Sequence, residues 1–261
     1  MDHGRFQRYV GIDYSGAATP QKGLPGIRVF EATPYARARE IRPEENSHRH
    51  WSRATLHRWL SHSLAQNEPT LVGIDHGFSF PEEYFQAHDL PRDWPHFLED
   101  FHHHWPTDQP DTTVEMVRRG ERGQGPDRGG SARWRRPAEK RGRAKSVFHF
   151  DVPGSVAKST HAGLPWLLHL RLEMGERLHF WPFDGWNPAA GISVIAEAYP
   201  SLWNDHHARG ECTPDQHDAF TLATKFRNAD ASGKMENWWR HKMKKAGDHR
   251  ARYEGWIFGL A

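Results

Sequence analysis

The chain carries a single cysteine, Cys212, among 261 residues. One thiol excludes an internal disulfide and any multi-cysteine zinc site, and it fits a reducing compartment. Long apolar runs are missing as well: none approaches the roughly 20 residues needed to cross a bilayer, so no membrane partner is expected. The opening Met1-Asp2-His3-Gly4-Arg5 is polar and lacks the apolar core of a secretory signal. A soluble cytoplasmic protein is the resulting expectation. An excess of one charge sign is also lacking. Lys and Arg number 35 and Asp and Glu 33, a net charge of +2, so bulk charge selects no partner. The mean hydropathy of −0.86 is polar. Aromatic residues at 12 %, with 12 Trp, nonetheless exclude a disordered chain and supply material for a core.

What the chain does have is one short phrase written twice. Val10-Gly11-Ile12-Asp13 is followed by Tyr14-Ser15-Gly16, and Val72-Gly73-Ile74-Asp75 by His76-Gly77-Phe78-Ser79. Each copy reads as a buried strand that ends in a carboxylate and breaks at small residues. Around these, Ile27–Ala32 alternates as a second strand after a glycine turn, and Arg37–Ile41 adds a third. Ser47–Gln66 has helical apolar spacing, and Pro81-Glu82-Glu83 opens another helix. Further on, Leu164–Leu172 reads as a helix and Arg177–Trp181 and Ile192–Glu197 as strands. Thr213 reads as the N-cap of a helix from Pro214, and Lys234–Lys245 and Arg250–Phe258 as helices. An antiparallel start followed by crossovers predicts an α/β fold with helices flanking a mixed sheet.

Asp13, Asp75 and Glu197 each end an apolar strand, and Asp218 lies in the first turns of the Pro214 helix with Asp215 three residues earlier. Ligands of open α/β sheets bind outside the carboxyl ends of strands. Carboxylates gathered there suit a hard divalent ion, Mg²⁺ or Mn²⁺, acting on a phosphate ester. The ordinary alternative is that such acids cap helices or pair with arginines. His76 and His217 each adjoin one of these acids, as a ligand, an acid/base group or a structural hydrogen-bonding group. The runs His102-His103-His104 and His206-His207 are poor chelators on their own, because neighbours on a helix diverge.

At these residues the chain resembles the "domain of unknown function 429" family, described as predicted nucleases of the RNase H-like (RuvC/YqgF) fold. The resemblance runs from Tyr9 to Gly259, through Val-Gly-Ile-Asp13-Tyr-Ser-Gly, Gly-Ile-Asp75-His-Gly-Phe-Ser-Phe-Pro, Glu197-Ala-Tyr-Pro, His217-Asp218-Ala and Glu254-Gly-Trp-Ile. It implies one RNase H-like domain over residues 1–261 with a five-stranded mixed sheet. It also implies a metal site built from Asp13 on the first strand, Asp75 on a neighbouring parallel strand, Glu197 on a later strand and Asp218 on a C-terminal helix. Ser15 and Asp215 stand beside these positions.

From 105 to 145 the apolar pattern breaks, and from Arg118 to Lys145 basic residues far outnumber acids. This reads as a mobile basic insertion that contacts a nucleic-acid backbone, with Arg133, Arg135 and Arg136 on phosphates and Trp134 stacking on a base. A solvated loop whose arginines balance the acidic site is the bland alternative. Lys158, in a Gly-Ser-Val-Ala-Lys-Ser-Thr run, is a further phosphate candidate, although the run is not a Walker A loop. The function expected from the whole is metal-dependent hydrolysis of nucleic-acid phosphodiester bonds. The rivals are a nucleotide-binding enzyme of the actin-like ATPase and sugar-kinase type, for which the chain is short, and a non-catalytic nucleic-acid-binding module.

Overall fold

A computed structural model describes residues 4–44, 49–203, 209–239 and 245–260. Its centre is a mixed sheet of strands β1 (Arg8–Asp13), β2 (Arg28–Thr33), β3 (Ala36–Ile41), β4 (Thr70–Asp75), β5 (Leu178–Trp181) and β6 (Ser193–Glu197). The order is β3-β2-β1-β4-β6-β5. β1, β2 and β3 form an antiparallel meander, while β4, β6 and β5 run parallel to β1. The α/β class and mixed sheet agree with the sequence reading. The strand number exceeds the five that the resemblance implies: β5, read from the sequence at Arg177–Trp181, pairs outside β6 and extends that edge.

Alternation along the strands sorts the core onto two faces. Val10, Ile12, Val72, Ile74 and Ile195 face α1 (Arg53–Leu64) and two helices described below. Tyr9, Leu71, Val194 and Ala196 face the opposite side with Ala219, Leu222, Ala223 and Phe226 of the long C-terminal helix. α1 starts six residues after the predicted Ser47, which lies outside the described residues; Ser52 caps it, accepting from the Thr55 amide while the Thr55 hydroxyl accepts from the Ser52 amide. After β4 come α2 (Glu82–Ala87) and α3 (Trp94–His104), the latter capped by Asp93. α3 packs on α6 (Ala157–Met174), and α6 on α1.

Between α3 and α6 the structure corrects the reading of 105–145 as a loop without an apolar face. The segment folds into α4 (Val114–Arg118), a 3₁₀ turn at Gly125–Arg128 and α5 (Pro137–Arg141). Trp105, Val114, Val117 and Ala138 are buried in it. Three of its arginines pair with acids: Arg118 with the exposed Asp151, Arg128 with Asp100, and the buried Arg136 with Glu139, while Arg119, Arg122, Arg133, Arg141 and Arg143 are exposed. Part of the charge therefore fastens the short helices to the body of the domain, and the rest is solvated.

The last helices are α7 (Pro214–Ala231), α8 (Glu236–Trp239) and α9 (Lys245–Glu254). α7 has the predicted Thr213 cap, reciprocated by Gln216. Residues 240–244 of the predicted Lys234–Lys245 helix, and His206-His207, lie outside the described residues. α9 ends before the predicted Phe258 because Gly255 takes φ +78°, a left-handed value that stops a helix. A Cβ at Gly255 would also press on the Phe183 ring at 2.9 Å. Among the described residues, no helix is long and apolar enough to cross a membrane.

Candidate metal centre

The two copies of the doubled phrase are neighbours in space and in register. Val10 lies opposite Val72, Gly11 opposite Gly73, Ile12 opposite Ile74 and Asp13 opposite Asp75. With a period of two, Gly11 and Asp13 share a face, as do Gly73 and Asp75, and it is the face covered by α7. The glycines explain how α7 reaches the sheet. A Cβ on Gly11 would collide with the Ala219 carbonyl and approach the Ala223 amide at 2.7 Å, and one on Gly73 would meet the Phe226 ring. Seated this low, α7 brings Asp218 to the carboxyl ends of β1 and β4. Oxygens of Asp13, Asp75 and Asp218 lie within 4.8 Å of one another.

All three acids are half-buried. Burial, then the charges of Asp75, Asp215 and Asp218, holds the Asp13 carboxyl well above the ordinary range. Burial, then Asp218 and Glu197, pushes Asp75 up to about 8. Arg28, opposite Asp13 on β2, pulls the other way but does not win. Such a cluster either keeps protons near neutrality or gathers its negative charge around a cation. All-carboxylate oxygen donors suit a hard ion that keeps several waters, which is the chemistry of Mg²⁺ and Mn²⁺.

Glu197 does not join this group. In the β4–β6 register it stands opposite Ile74, not Asp75, so it points to the other face of the sheet. There Arg136 takes both of its oxygens, at 2.6 and 2.7 Å, and the Phe78 amide donates to it at 3.0 Å. The parity match of Asp75 on that side is Ala198. Glu197 is a buried ion-pair partner that raises the Asp75 pKa from beside the site.

The other nominated residues divide in the same way. Asp215 acts on Asp13 electrostatically, and its Oδ2 lies 3.7 Å from where a Cβ on Gly26 would stand, as does the Ser15 hydroxyl. Both therefore border the site. Arg53, a buried cation that the sequence reading passed over, holds that border in place by donating to the carbonyls of Ser15, Ala17 and Ala18. His76 points away from the acids. It is buried against Gly163 of α6, makes a ring contact with Tyr14 and bonds the Gly77 carbonyl through Nδ1. Burial pulls its pKa down to about 4, so it is a neutral structural side chain. His217 is buried within α7, next to Asp218 in sequence.

Of the expected phosphate contacts, Arg135 donates to the Glu139 and Ala144 carbonyls and Arg136 is spent on Glu139 and Glu197. Trp134 is half-buried with its ring edge-on to Phe148. Lys158 pairs with Glu115 at 3.0 Å. Arg133 is exposed. Lys145 lines a cavity of about 20 Å³ that also borders Asp75, Gly77 and Ala198. A cavity that size takes about one water, not a nucleotide base.

No family model matches the chain, and neither the curated proteins nor the solved structures contain a match to it.

Proposed function

We propose that the chain is a metal-dependent phosphodiesterase of the nuclease class, on an RNase H-like fold. The observation that carries this reading is the convergence of Asp13, Asp75 and Asp218 on one point at the strand ends. An acid on a central first strand, a second on its parallel neighbour and a third on a C-terminal helix are also what the family resemblance implies. The meander β3-β2-β1 beside parallel β4 supports the same fold, with β5 as an added edge strand.

In this reading Asp13, Asp75 and Asp218 hold Mg²⁺ or Mn²⁺, and Glu197 is not a ligand. A divalent cation there would supply Lewis-acid polarisation of a phosphate oxygen and offset the charge that develops on it. Asp75 borders a small cavity with Lys145, an exposed cation that donates to the Pro153 carbonyl and would exchange that partner for a phosphate. That cavity is too small for a base, so the nucleic acid lies across the surface, with the exposed Arg133 and Lys145 as its basic contacts.

The test is cleavage of DNA and RNA, linear and branched, by the purified chain with Mg²⁺ or Mn²⁺. Asp13→Asn and Asp218→Asn are expected to lower the rate by about 100-fold or more. Unchanged cleavage by Asp13→Asn would remove the assignment.

A further inference from the structure

A second convergence of metal-binding side chains lies on other elements. His102 sits in the last turn of α3, Asp108 in the loop that follows, and His169 near the end of α6. The His102 Nε2 is 3.1 and 3.2 Å from the two Asp108 oxygens, and the His169 Nε2 is 2.9 Å from Oδ2. One donor atom from each residue lies within 4.8 Å of the other two. We infer that His102, Asp108 and His169 form a binding site for a divalent first-row transition ion, with zinc as the best fit.

Two ligand atoms bonded to one such ion at about 2.0–2.2 Å stand roughly 3–3.5 Å apart, so the nitrogen–oxygen spacings here already approximate the edges of a coordination shell. The donor set is two imidazoles and a carboxylate, which selects borderline ions over Mg²⁺. The carboxylate is fixed before any ion arrives. Asp108 is 9 % exposed, and the neighbouring Thr107 hydroxyl donates to the His161 carbonyl at 2.7 Å. The imidazoles are more open, with side-chain exposures of 28 % for His102 and 33 % for His169, so ion and water can reach them. Three protein donors leave the remaining positions to solvent or an added ligand.

His57 of α1 has its ring 5.9 Å from that of His169, and its Nε2 is engaged by Glu173. Without an ion, the two imidazoles place protons on Asp108 as hydrogen bonds. With one, they turn neutral lone pairs on it and the protons leave.

One helix serves both sites. The first half of α6 buttresses the acidic centre, through the Thr160 hydroxyl on the Gly77 amide and Gly163 beneath His76. His169 follows six residues later, about 9 Å along the axis.

The test uses the whole chain, stripped of metal and titrated with Co²⁺ and Zn²⁺ in excess Mg²⁺. Wild type is expected to take up one equivalent of Co²⁺ with a visible ligand-field band that Zn²⁺ abolishes. His102→Gln and His169→Gln should each weaken that equivalent by about 100-fold or more, while Asp13→Asn keeps it. In the unaltered chain, ¹⁵N-histidine spectra should show two Nε2 resonances moving together at one equivalent of Zn²⁺, which needs no variant to fold. The same Co²⁺ affinity in wild type and both histidine variants would overturn the proposal, as would the absence of any paired Nε2 shift.

Discussion

Asp13 and Asp75 are register partners on adjacent parallel strands, the last residues of two identical tetrapeptides laid side by side. Parallel pairing keeps equivalent residues on one face at each level. The repeat is therefore a device for setting two carboxylates next to each other under α7. The glycines two residues earlier let that helix approach closely enough to add Asp218. The consequences are measurable.

Metal-free protein should lose stability as pH rises. Asp75 has a folded pKa of about 8 against an ordinary 3.8, and Asp13 shifts in the same direction. Between those values the folded state binds more protons than the unfolded state, so unfolding becomes easier with increasing pH. The stability is fully present below about pH 4 and is lost as pH climbs through 8. Urea midpoints in chelator at pH 5 and 8.5 measure this. The drop should shrink in Asp75→Asn and on adding Mg²⁺ at the higher pH.

Gly11→Ala should cost about 1–3 kcal/mol, because its methyl collides with backbone and neither the strand nor the helix can yield freely. Lifting α7 also draws Asp218 away, so Mn²⁺ affinity should fall with stability. A variant that loses stability but binds Mn²⁺ normally would separate the glycine from the site.

Glu197→Gln should behave unlike the three aspartates. It leaves Arg136, which is 1 % exposed, short of a charge partner, and breaking such a pair costs about 3–5 kcal/mol. Chemical denaturation should show the loss, while isothermal titration of the folded variant should show Mn²⁺ stoichiometry unchanged.

Lys145→Ala should reduce the slope of log affinity against log salt for a single-stranded oligonucleotide by about 0.7, the share of one phosphate contact. Arg136 is bound internally, so the exposed Arg133 and Lys145 carry that dependence. Equilibrium binding across a salt series, with Asp13→Asn protein to prevent cleavage, gives both slopes.

Most of the local structure was legible. The strand ends at Asp13 and Asp75, the Thr213 cap and the α6 helix follow from spacing, capping chemistry and turn residues, all of which act within a few positions. The Arg118–Lys145 segment misled because its helices are short and two of its arginines, Arg128 and Arg118, pair with acids outside the segment, Asp100 and Asp151. Within the His102-His103-His104 run the imidazoles diverge, and His102 meets Asp108 and His169 instead. Its potential comes from Asp108 and His169, and a spacing of 67 residues between two histidines carries no local signal.

The sequence by itself determined that two carboxylates would stand at the ends of two buried strands, since each phrase contains its own strand, acid and break. Only the tertiary structure decided which other acids could join them. Glu197 and Asp218 look equally placed along the chain. The register of β6 against β4 turns Glu197 to the opposite face, and the close approach of α7 over Gly11 and Gly73 turns Asp218 inward. A shift of one residue in pairing reverses every side chain on a strand, and register between segments more than 100 residues apart is set by packing, not by either segment alone.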